Sequence, residues 1–427
     1  MRRLHLLPIL AALTLLLVAL SPVPAEANAN ISIVNLDAGT GQGLDDPTPV
    51  APVGGNPGTT LGQQRLNVFL AAANIWGSAI DSTQTIFVDA TFTPLQCNAF
   101  SAVLGAAGAQ TVHANFPGAP QLATWYHQAL ANSLSNSDLD PATNDLIAFF
   151  NSSIDNNNNC LNNTDWYLGF DSNPPGSDID FFTVVLHEIG HGLGFSSFVD
   201  ESTGALLAGQ HDIWNSFLFD ATTGLTWRQM NNAQRAASAI NTGNLTWQGP
   251  RVTAEAPGFA AGVNGATGFL QMYAPNPVEP GSSVSHYDTA VTPNVLMEPF
   301  ITNSTTDLDI TVPLFADIGW STDGYRLSNP IPGFPSLVND FTTEGATPGQ
   351  TTFFIYGFNP GARAVPGCPG VFADINDINI FSSGPANAAG EYAVSPFIPA
   401  IGGATVLFQS VELSTCSVSN LVSYTWP

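Results

Sequence analysis

The chain has 427 residues, of which 44% are apolar and 10% aromatic, which is enough for a large core in two or three structural units. Its eight basic residues are all arginine and oppose 33 acidic residues, so the formal net charge is −25 at pH 7. This balance excludes nucleic acid and anionic membranes as partners, because both bind basic surfaces. It is compatible with calcium binding, although solubility alone accounts for it.

The N-terminus has the pattern of a signal peptide. Arg2 and Arg3 precede an almost wholly apolar run at 4–20, and Ala25-Glu26-Ala27 supplies a small-x-small cleavage site. We therefore predict a signal peptide at residues 1–27; an uncleaved anchor is the alternative. No later stretch approaches a membrane span, so the mature protein is expected to be secreted, periplasmic or at the cell surface. The sequence does not indicate an oligomeric state.

The cysteines support an oxidising compartment. None of the four forms a C-x-x-C pair, so a zinc ribbon or redox motif is not indicated. Four cysteines permit three disulfide connectivities. Nearest-neighbour pairing, Cys97 with Cys160 and Cys368 with Cys416, is the prediction, since it keeps each bond inside one proposed domain.

Helices and strands alternate in the first part of the chain. Residues 28–60 are rich in Gly, Pro, Asp and Thr and are predicted to be irregular. Apolar spacing and strand-like alternation then predict elements in this order: a helix at 61–80 capped by Thr59-Thr60, a strand at 86–92, a helix at 121–134 and a strand at 145–151. The Asp- and Asn-rich run at 155–160 is predicted to be a solvated turn, with calcium binding as the alternative.

A helix predicted at about 178–192 carries the clearest chemical motif, His187-Glu188-Ile189-Gly190-His191. Histidines four residues apart lie on one helix face a turn apart, so both imidazoles can reach one metal ion. The Glu188 side chain points in a different direction from the two histidines. It can therefore act as a general base that takes a proton from water bound to the metal. The default metal for this motif is zinc. A chance match on an amphipathic helix is the alternative, but the chain has only seven histidines.

The rest of the chain divides into two parts that differ in sequence pattern. Short helices are predicted near 230–240 and at 311–320, and from about 326 apolar runs separated by Gly, Pro and Asn predict strands at 351–356, 404–411 and 421–426. The predicted fold class is α+β. The predicted domains are a first domain at 28–325 that contains the metal motif, divided at 195/196 into two subdomains, and a β-sandwich accessory domain at 326–427.

A catalytic zinc site needs a third protein ligand. The pattern H-E-x-x-H-x-x-G-x-x-H would place it at position 197, which is Ser197 here. Four candidates remain: His286 and His211 as histidine ligands, and Asp200 and Glu201 as carboxylate ligands.

At this point the chain resembles the leishmanolysin-like metzincins, in which an insertion separates the motif's glycine from a distant third histidine. Ser285-His286 followed by Leu296-Met297-x-Pro299 is similar to that family's spacing, and residues 314–320 resemble its closing helix. The resemblance spans roughly residues 59–320. It implies zinc ligands His187, His191 and His286, a base at Glu188, and a Met-turn at Met297.

The resemblance has limits. The family's cysteine pattern is denser than this one, and the tyrosine that some metzincins carry two residues after the Met-turn methionine is Pro299 here. No transition-state stabiliser other than the metal is therefore named, and Tyr287 is expected to be an aromatic buttress.

The expected function is a secreted zinc metalloendopeptidase acting on proteins or peptides, with water activated by zinc and Glu188 as its base. One alternative is an inert adhesion or binding protein on a metzincin scaffold, against which the intact Glu188 argues. The other is a zinc hydrolase of non-peptide substrates.

Overall fold

A computed structural model describes residues 29–427 except 156, 163, 323 and 370. The predicted signal peptide at 1–27 lies outside the described residues. The described part contains both helices and sheets, as an α+β class requires. No helix within it combines the length and the apolar character that a membrane span needs.

The described residues of the first half form three α-helices and eight strands. The helices are α1 (Leu61–Ala79), α2 (Gln128–Ser135) and α3 (Phe181–Leu193). The strands are β1 (Ile31–Asn35), β2 (Ile86–Thr93), β3 (Gly105–Ala109), β4 (Val112–His113), β5 (Thr124–His127), β6 (Leu146–Asn151), β7 (Trp166–Tyr167) and β8 (Ile179–Asp180).

A four-stranded sheet supports the candidate site. Its order is β1-β2-β6-β3, in which β1, β2 and β6 run parallel and β3 is an antiparallel edge strand. Helices α1 and α3 pack on this sheet and on each other. Trp76 of α1 is fully buried and its indole Nε1 donates to the Leu186 carbonyl of α3 at 2.9 Å. This contact ties the motif helix to the long helix beside it.

The predicted helix at 61–80 and the predicted strands at 86–92 and 145–151 are confirmed to within one residue at each end, and the helix predicted at 178–192 begins three residues later and ends one residue later. The prediction that residues 28–60 are irregular is wrong at 31–35, which form strand β1 because they pair in parallel with β2. The prediction of a helix at 121–134 is wrong at its start, because Thr124–His127 forms strand β5 and the helix begins only at Gln128. Strand β5 pairs in parallel with residues 211–212, and the β-branched and aromatic residues of Thr-Trp-Tyr-His suit that pairing. The long-range pairing therefore overrides the local helical spacing.

Short elements fill the middle of the chain. The strands are β9 (His211–Asp212), β10 (Leu218–Asp220), β11 (Leu225–Thr226), β12 (Leu245–Trp247) and β13 (Leu270–Gln271), and the helices are α4 (Asn232–Ser238), α5 (Pro250–Glu255) and α6 (Thr311–Ile318). Strands β10 to β13 form a sheet of order β11-β10-β12-β13. Helices α4 and α6 lie where the sequence predicts short helices.

After α6 the described residues form strands and loops. These strands are β14 (Arg326–Leu327), β15 (Phe341–Glu344), β16 (Thr351–Gly357), β17 (Pro360–Ala364), β18 (Phe372–Ile375), β19 (Asn379–Pro385), β20 (Tyr392–Val394), β21 (Thr405–Glu412), β22 (Ser417–Val418) and β23 (Val422–Thr425). Alternate residues of β16 and β21 face two apolar clusters: Phe354 and Phe408 lie in one, Ile355 and Leu407 in the other. The sheet that contains β16 and β21 is thus covered by apolar side chains on both faces, because successive residues of a strand point to opposite faces.

The last part of the chain contacts the end of α1. Arg326 is buried and forms an ion pair with Asp81 at 3.0 Å, and its Nη2 donates to the Ser78 carbonyl at 2.8 Å. The Asn74 amide donates to the Tyr424 hydroxyl at 3.0 Å. A cation at a helix C-terminus satisfies carbonyls that lack an intrahelical partner, so Arg326 stabilises α1 from outside the helix.

The predicted disulfide pairing is confirmed. Cys97 is bonded to Cys160 and Cys368 to Cys416, and each pair of Cα atoms is 5.4 Å apart. Both bonds fit an oxidising, non-cytoplasmic environment.

Candidate metal centre

Helix α3 begins and ends where its sequence directs. Asp180 is its N-cap: the carboxylate accepts from the Phe182 N–H at 3.2 Å and from the Thr183 hydroxyl at 2.7 Å. At the other end Gly194 has a φ of 140°, which allows the chain to leave the helix. Together the two ends fix the position of the two motif histidines.

Close packing under α3 depends on two of its glycines. A Cβ placed on Gly190 would lie 3.0 Å from the Met297 sulfur and 3.2 Å from the Trp76 ring. A Cβ on Gly192 would lie 2.6 Å from a methyl carbon of Leu146 in strand β6. Side chains at these positions would force α3 away from the sheet and from the loop that contains Met297.

The three predicted histidines come together at one point. The Nε2 atoms of His187 and His191 are 3.0 Å apart, and each lies 3.1 Å from the Nε2 of His286. His191 and His286 are buried, and His187 is partly buried. His187 and His191 come from consecutive turns of α3, whereas His286 comes from a loop about 100 residues further along the chain.

The second nitrogen of each ring determines which nitrogen carries the proton. The Nδ1 atoms of His187, His191 and His286 lie 2.7–2.8 Å from backbone carbonyl oxygens, which can only accept. Those acceptors are Leu296, Phe195 and Ser282 respectively. In a neutral imidazole only one nitrogen bears hydrogen, so the proton is assigned to Nδ1 and the lone pair to Nε2.

Burial keeps these rings neutral. Loss of hydration lowers the pKa of His187 to about 4 and that of His286 to about 3. The pKa of His191 is also well below its usual value, first because of burial and then because the other two imidazoles lie beside it. Three neutral rings therefore direct three lone pairs at one small volume.

This arrangement fits a divalent cation. The three Nε2 atoms are about 3 Å apart, so their lone pairs repel one another. No proton lies between these nitrogen atoms to form a hydrogen bond and offset that repulsion. Nitrogen atoms at these separations can all bind one ion at about 2.0–2.1 Å, the usual zinc–imidazole distance. Carbonyl acceptors at Nδ1 are the outer contacts that metal-binding histidines commonly make. Neutral imidazoles suit zinc and related transition metals.

The other candidate ligands lie outside this group. Among the described residues, the side chains placed so that they could hold one metal ion together are His187, His191 and His286. His211 is in strand β9, partly buried, with its Nδ1 3.4 Å from the Asn215 amide. Asp200 accepts from the Ser202 and Thr203 N–H groups in an exposed turn.

Glu201 and Ser197 likewise do not join the histidines. Glu201 is the next residue in the turn that begins at Asp200. The Ser197 hydroxyl donates to Asp212 at 3.0 Å.

Glu188 directly follows His187 on α3, and its side chain is buried. Burial raises its pKa to about 8, and a hydrogen bond from the Ala107 N–H of strand β3 opposes that rise. Its Oε2 atom is buried and has no hydrogen-bond partner among the described residues. A cation held by the neighbouring histidines would favour the charged carboxylate and lower this pKa again.

Met297 and Tyr287 support the loop that provides His286. The Met297 side chain is fully buried against Gly190, and its carbonyl accepts from the Tyr287 N–H at 2.9 Å. The Tyr287 hydroxyl donates to the Ile310 carbonyl at 3.2 Å, and its ring packs edge-on against Phe195. Tyr287 is thus a buried packing residue, and Met297 lies directly beneath α3.

Two buried polar residues near the site were not singled out from the sequence. Asp212 accepts from the Phe198 N–H at 2.7 Å as well as from Ser197, and burial raises its pKa to about 6. His127 is fully buried, with its Nε2 2.7 Å from the Ser196 hydroxyl. Both fix the chain just after Phe195, whose carbonyl orients His191. Neither residue belongs to the segment that it holds, so the sequence does not indicate these contacts. The one local signal is that Asp212 directly follows His211, a residue type that binds metals.

Comparisons with known proteins do not identify a family. No family model and no curated protein match the chain. Among solved structures, a match to macromomycin has 12% identity and covers 24% of this chain and 98% of that one. Its TM-score is 0.16, so it carries no argument about fold or function.

Proposed function

We propose that this protein is a zinc-dependent metalloendopeptidase that acts outside the cytoplasm. The observation that carries the proposal is the convergence of three unprotonated Nε2 atoms beside a buried glutamate. A divalent cation held by His187, His191 and His286 would supply Lewis acidity that polarises an amide carbonyl and makes a water molecule more acidic. The leishmanolysin-like spacing of His286 and Met297 supports the same assignment.

Glu188 would move the proton in this reaction. Its Oε2 has no partner among the described residues, so that atom is available to take a proton from water and return it to the leaving amine. Its other oxygen lies close to strand β3 at Gly105. Burial would strengthen its interaction with any charge that develops in the transition state.

An extended peptide is the substrate that best fits the neighbouring sheet edge. Strand β3 pairs with β6 on one side, and within the described residues no strand pairs with its other side. An open edge beside the site can bind an extended chain through backbone hydrogen bonds. This feature favours a peptide over a small amide or ester.

The test compares two glutamate substitutions. Glu188→Gln should keep about one zinc per chain and lose nearly all cleavage of casein, because only the base is removed. Glu201→Gln is the matched control, since Glu201 lies outside the histidine group, and it should retain both properties. Zinc is measured by elemental analysis, and cleavage is measured with and without a chelator.

Each contrary outcome has a distinct meaning. Wild-type protein that binds zinc but cleaves no protein would refute the peptidase assignment, and a parallel assay with ester substrates would then identify a non-peptide hydrolase. Near-normal cleavage by Glu188→Gln would refute the role of that residue as the base.

A further inference from the structure

Strand β3 approaches Glu188 closely at a glycine. A Cβ atom placed on Gly105 would lie 2.9 Å from the Glu188 Cγ, 3.0 Å from its Oε1 and 3.1 Å from its Cδ. Real Cβ atoms essentially never lie within 3.0 Å of another heavy atom, and 3.0–3.4 Å is tighter than nine in ten real contacts. The carboxylate therefore occupies space that any other residue at position 105 would fill.

The two carboxylate oxygens of Glu188 have different surroundings. Oε1 is the oxygen that a Cβ on Gly105 would meet, whereas Oε2 is buried and has no hydrogen-bond partner among the described residues. Gly105 and Ala107 lie two residues apart, so they share one face of β3. The two residues of this face are therefore small, and the carboxylate comes closest to the one that has no side chain.

From these contacts we infer that Gly105 is a positioning residue for Glu188. Its missing side chain lets the carboxylate rest on the edge strand, with Oε1 against Gly105 and Oε2 without a hydrogen-bond partner among the described residues. The inference rests on the proposed function, because it gives Glu188 the role of the base. It adds that the edge strand, as well as helix α3, sets where that base stands.

Strand β3 also provides a matched control. Gly108 lies on the same strand, and a Cβ placed there would have no atom within 4 Å. Neither Gly105 nor Gly108 has a positive φ, so alanine fits the backbone at both positions. Replacing glycine by alanine in a strand ordinarily raises stability slightly. Any loss specific to Gly105→Ala must therefore come from the contact with Glu188.

The kinetic test compares Gly105→Ala with Gly108→Ala in the full chain loaded with zinc. Gly105→Ala should lower kcat by about tenfold or more, because small displacements of catalytic groups cost up to about 100-fold. Its KM should stay within about twofold of wild type, and its zinc content should remain at one per chain. Gly108→Ala should match wild type in all three, because the substrate contacts proposed for β3 are made by backbone groups, which this substitution keeps. Equal kcat values for the two variants would overturn the inference.

A thermal-unfolding cycle tests the contact independently of activity. Gly105→Ala should lower Tm in the wild-type background and leave it unchanged or raised in a Glu188→Ala background, where the opposing side chain is absent. An equal loss in both backgrounds would overturn the inference. If wild-type protein cleaves no substrate, the proposed function fails, and this cycle alone decides whether Gly105 sets the position of Glu188.

Discussion

A buried histidine outside the histidine group should make the free energy of unfolding depend on pH in the acid range. His127 ends strand β5 and is fully buried, and that burial lowers its pKa to about 3. Its Nε2 contacts the Ser196 hydroxyl, and its Nδ1 has no hydrogen-bond partner among the described residues. A proton on this ring would therefore be a buried charge with no compensating group.

The sign of the effect follows from the two pKa values. In the unfolded chain the imidazole titrates near 6.5, so between that pH and about 3 the unfolded state binds more protons than the folded state. The contribution of His127 to stability is complete above pH 6.5 and is lost as the pH falls through this window. At pH 4.5, two units below the unfolded value, the loss is about 2.7 kcal/mol, because each unit is worth about 1.36 kcal/mol.

The assay is urea unfolding of wild type and His127→Gln at pH 7.5 and 4.5, both with chelator so that metal binding does not contribute. Glutamine can still hydrogen bond to Ser196 but does not titrate. Wild type should lose about 2–3 kcal/mol more than the variant between the two pH values. His113→Gln is the control, because His113 is only partly buried and its removal should leave most of the acid sensitivity. An equal loss in wild type and His127→Gln would show that His127 is not buried as a neutral ring.

Three further predictions test the site and its support. His286→Ala should reduce bound zinc well below one per chain and abolish cleavage, whereas His211→Ala, which lies outside the group, should retain both; elemental analysis with a peptide assay decides, and the reverse result would move the ligand. Denatured, unreduced protein should contain no free thiol, and replacing Cys97 and Cys160 by serine should lower the free energy of unfolding by about 2–4 kcal/mol. Arg326→Met removes a buried, paired cation and should cost about 3–5 kcal/mol in urea unfolding; a loss below about 1 kcal/mol would show that this ion pair is dispensable.

Local signals explain why the motif helix could be predicted. Asp180 caps α3 by accepting a hydrogen bond from the N–H of Phe182, which is only two residues further along the chain. At the other end Gly194 allows the chain to leave the helix. The disulfide pairs could also be predicted, because each closes one stretch of chain between neighbouring cysteines. The choice of His286 over His211 depended on the spacing from His286 to Met297, since no local pattern separates the two.

Long-range contacts explain what the sequence could not indicate. Residues 124–127 have helical spacing, yet they form strand β5 because a partner strand more than 80 residues away is available. Gly105 stands in a small-residue run where nothing marks it out from Gly108. Only the approach of α3 to the edge strand distinguishes the two glycines.

The parts of the site that orient the histidines are equally hidden, because the acceptors at all three Nδ1 atoms are backbone carbonyls. Any residue type provides a carbonyl, so what the sequence must specify is the loop that aims it. Asp309 accepts from the Leu296 N–H at 2.5 Å and Asp212 from the Phe198 N–H at 2.7 Å. Each therefore fixes a loop whose carbonyl holds His187 or His191.

These two carboxylates are buried, and burial raises the pKa of each to about 6. Their hydration is replaced by backbone N–H and hydroxyl donors of the loops that they hold, so neither loop can move away without leaving a carboxylate unsatisfied. The geometry of the histidine group thus depends on acidic side chains that hold the surrounding loops and do not contact the histidines. An acidic residue far from a histidine motif is ordinarily read as part of a solvated surface, and that reading is wrong for Asp212 and Asp309.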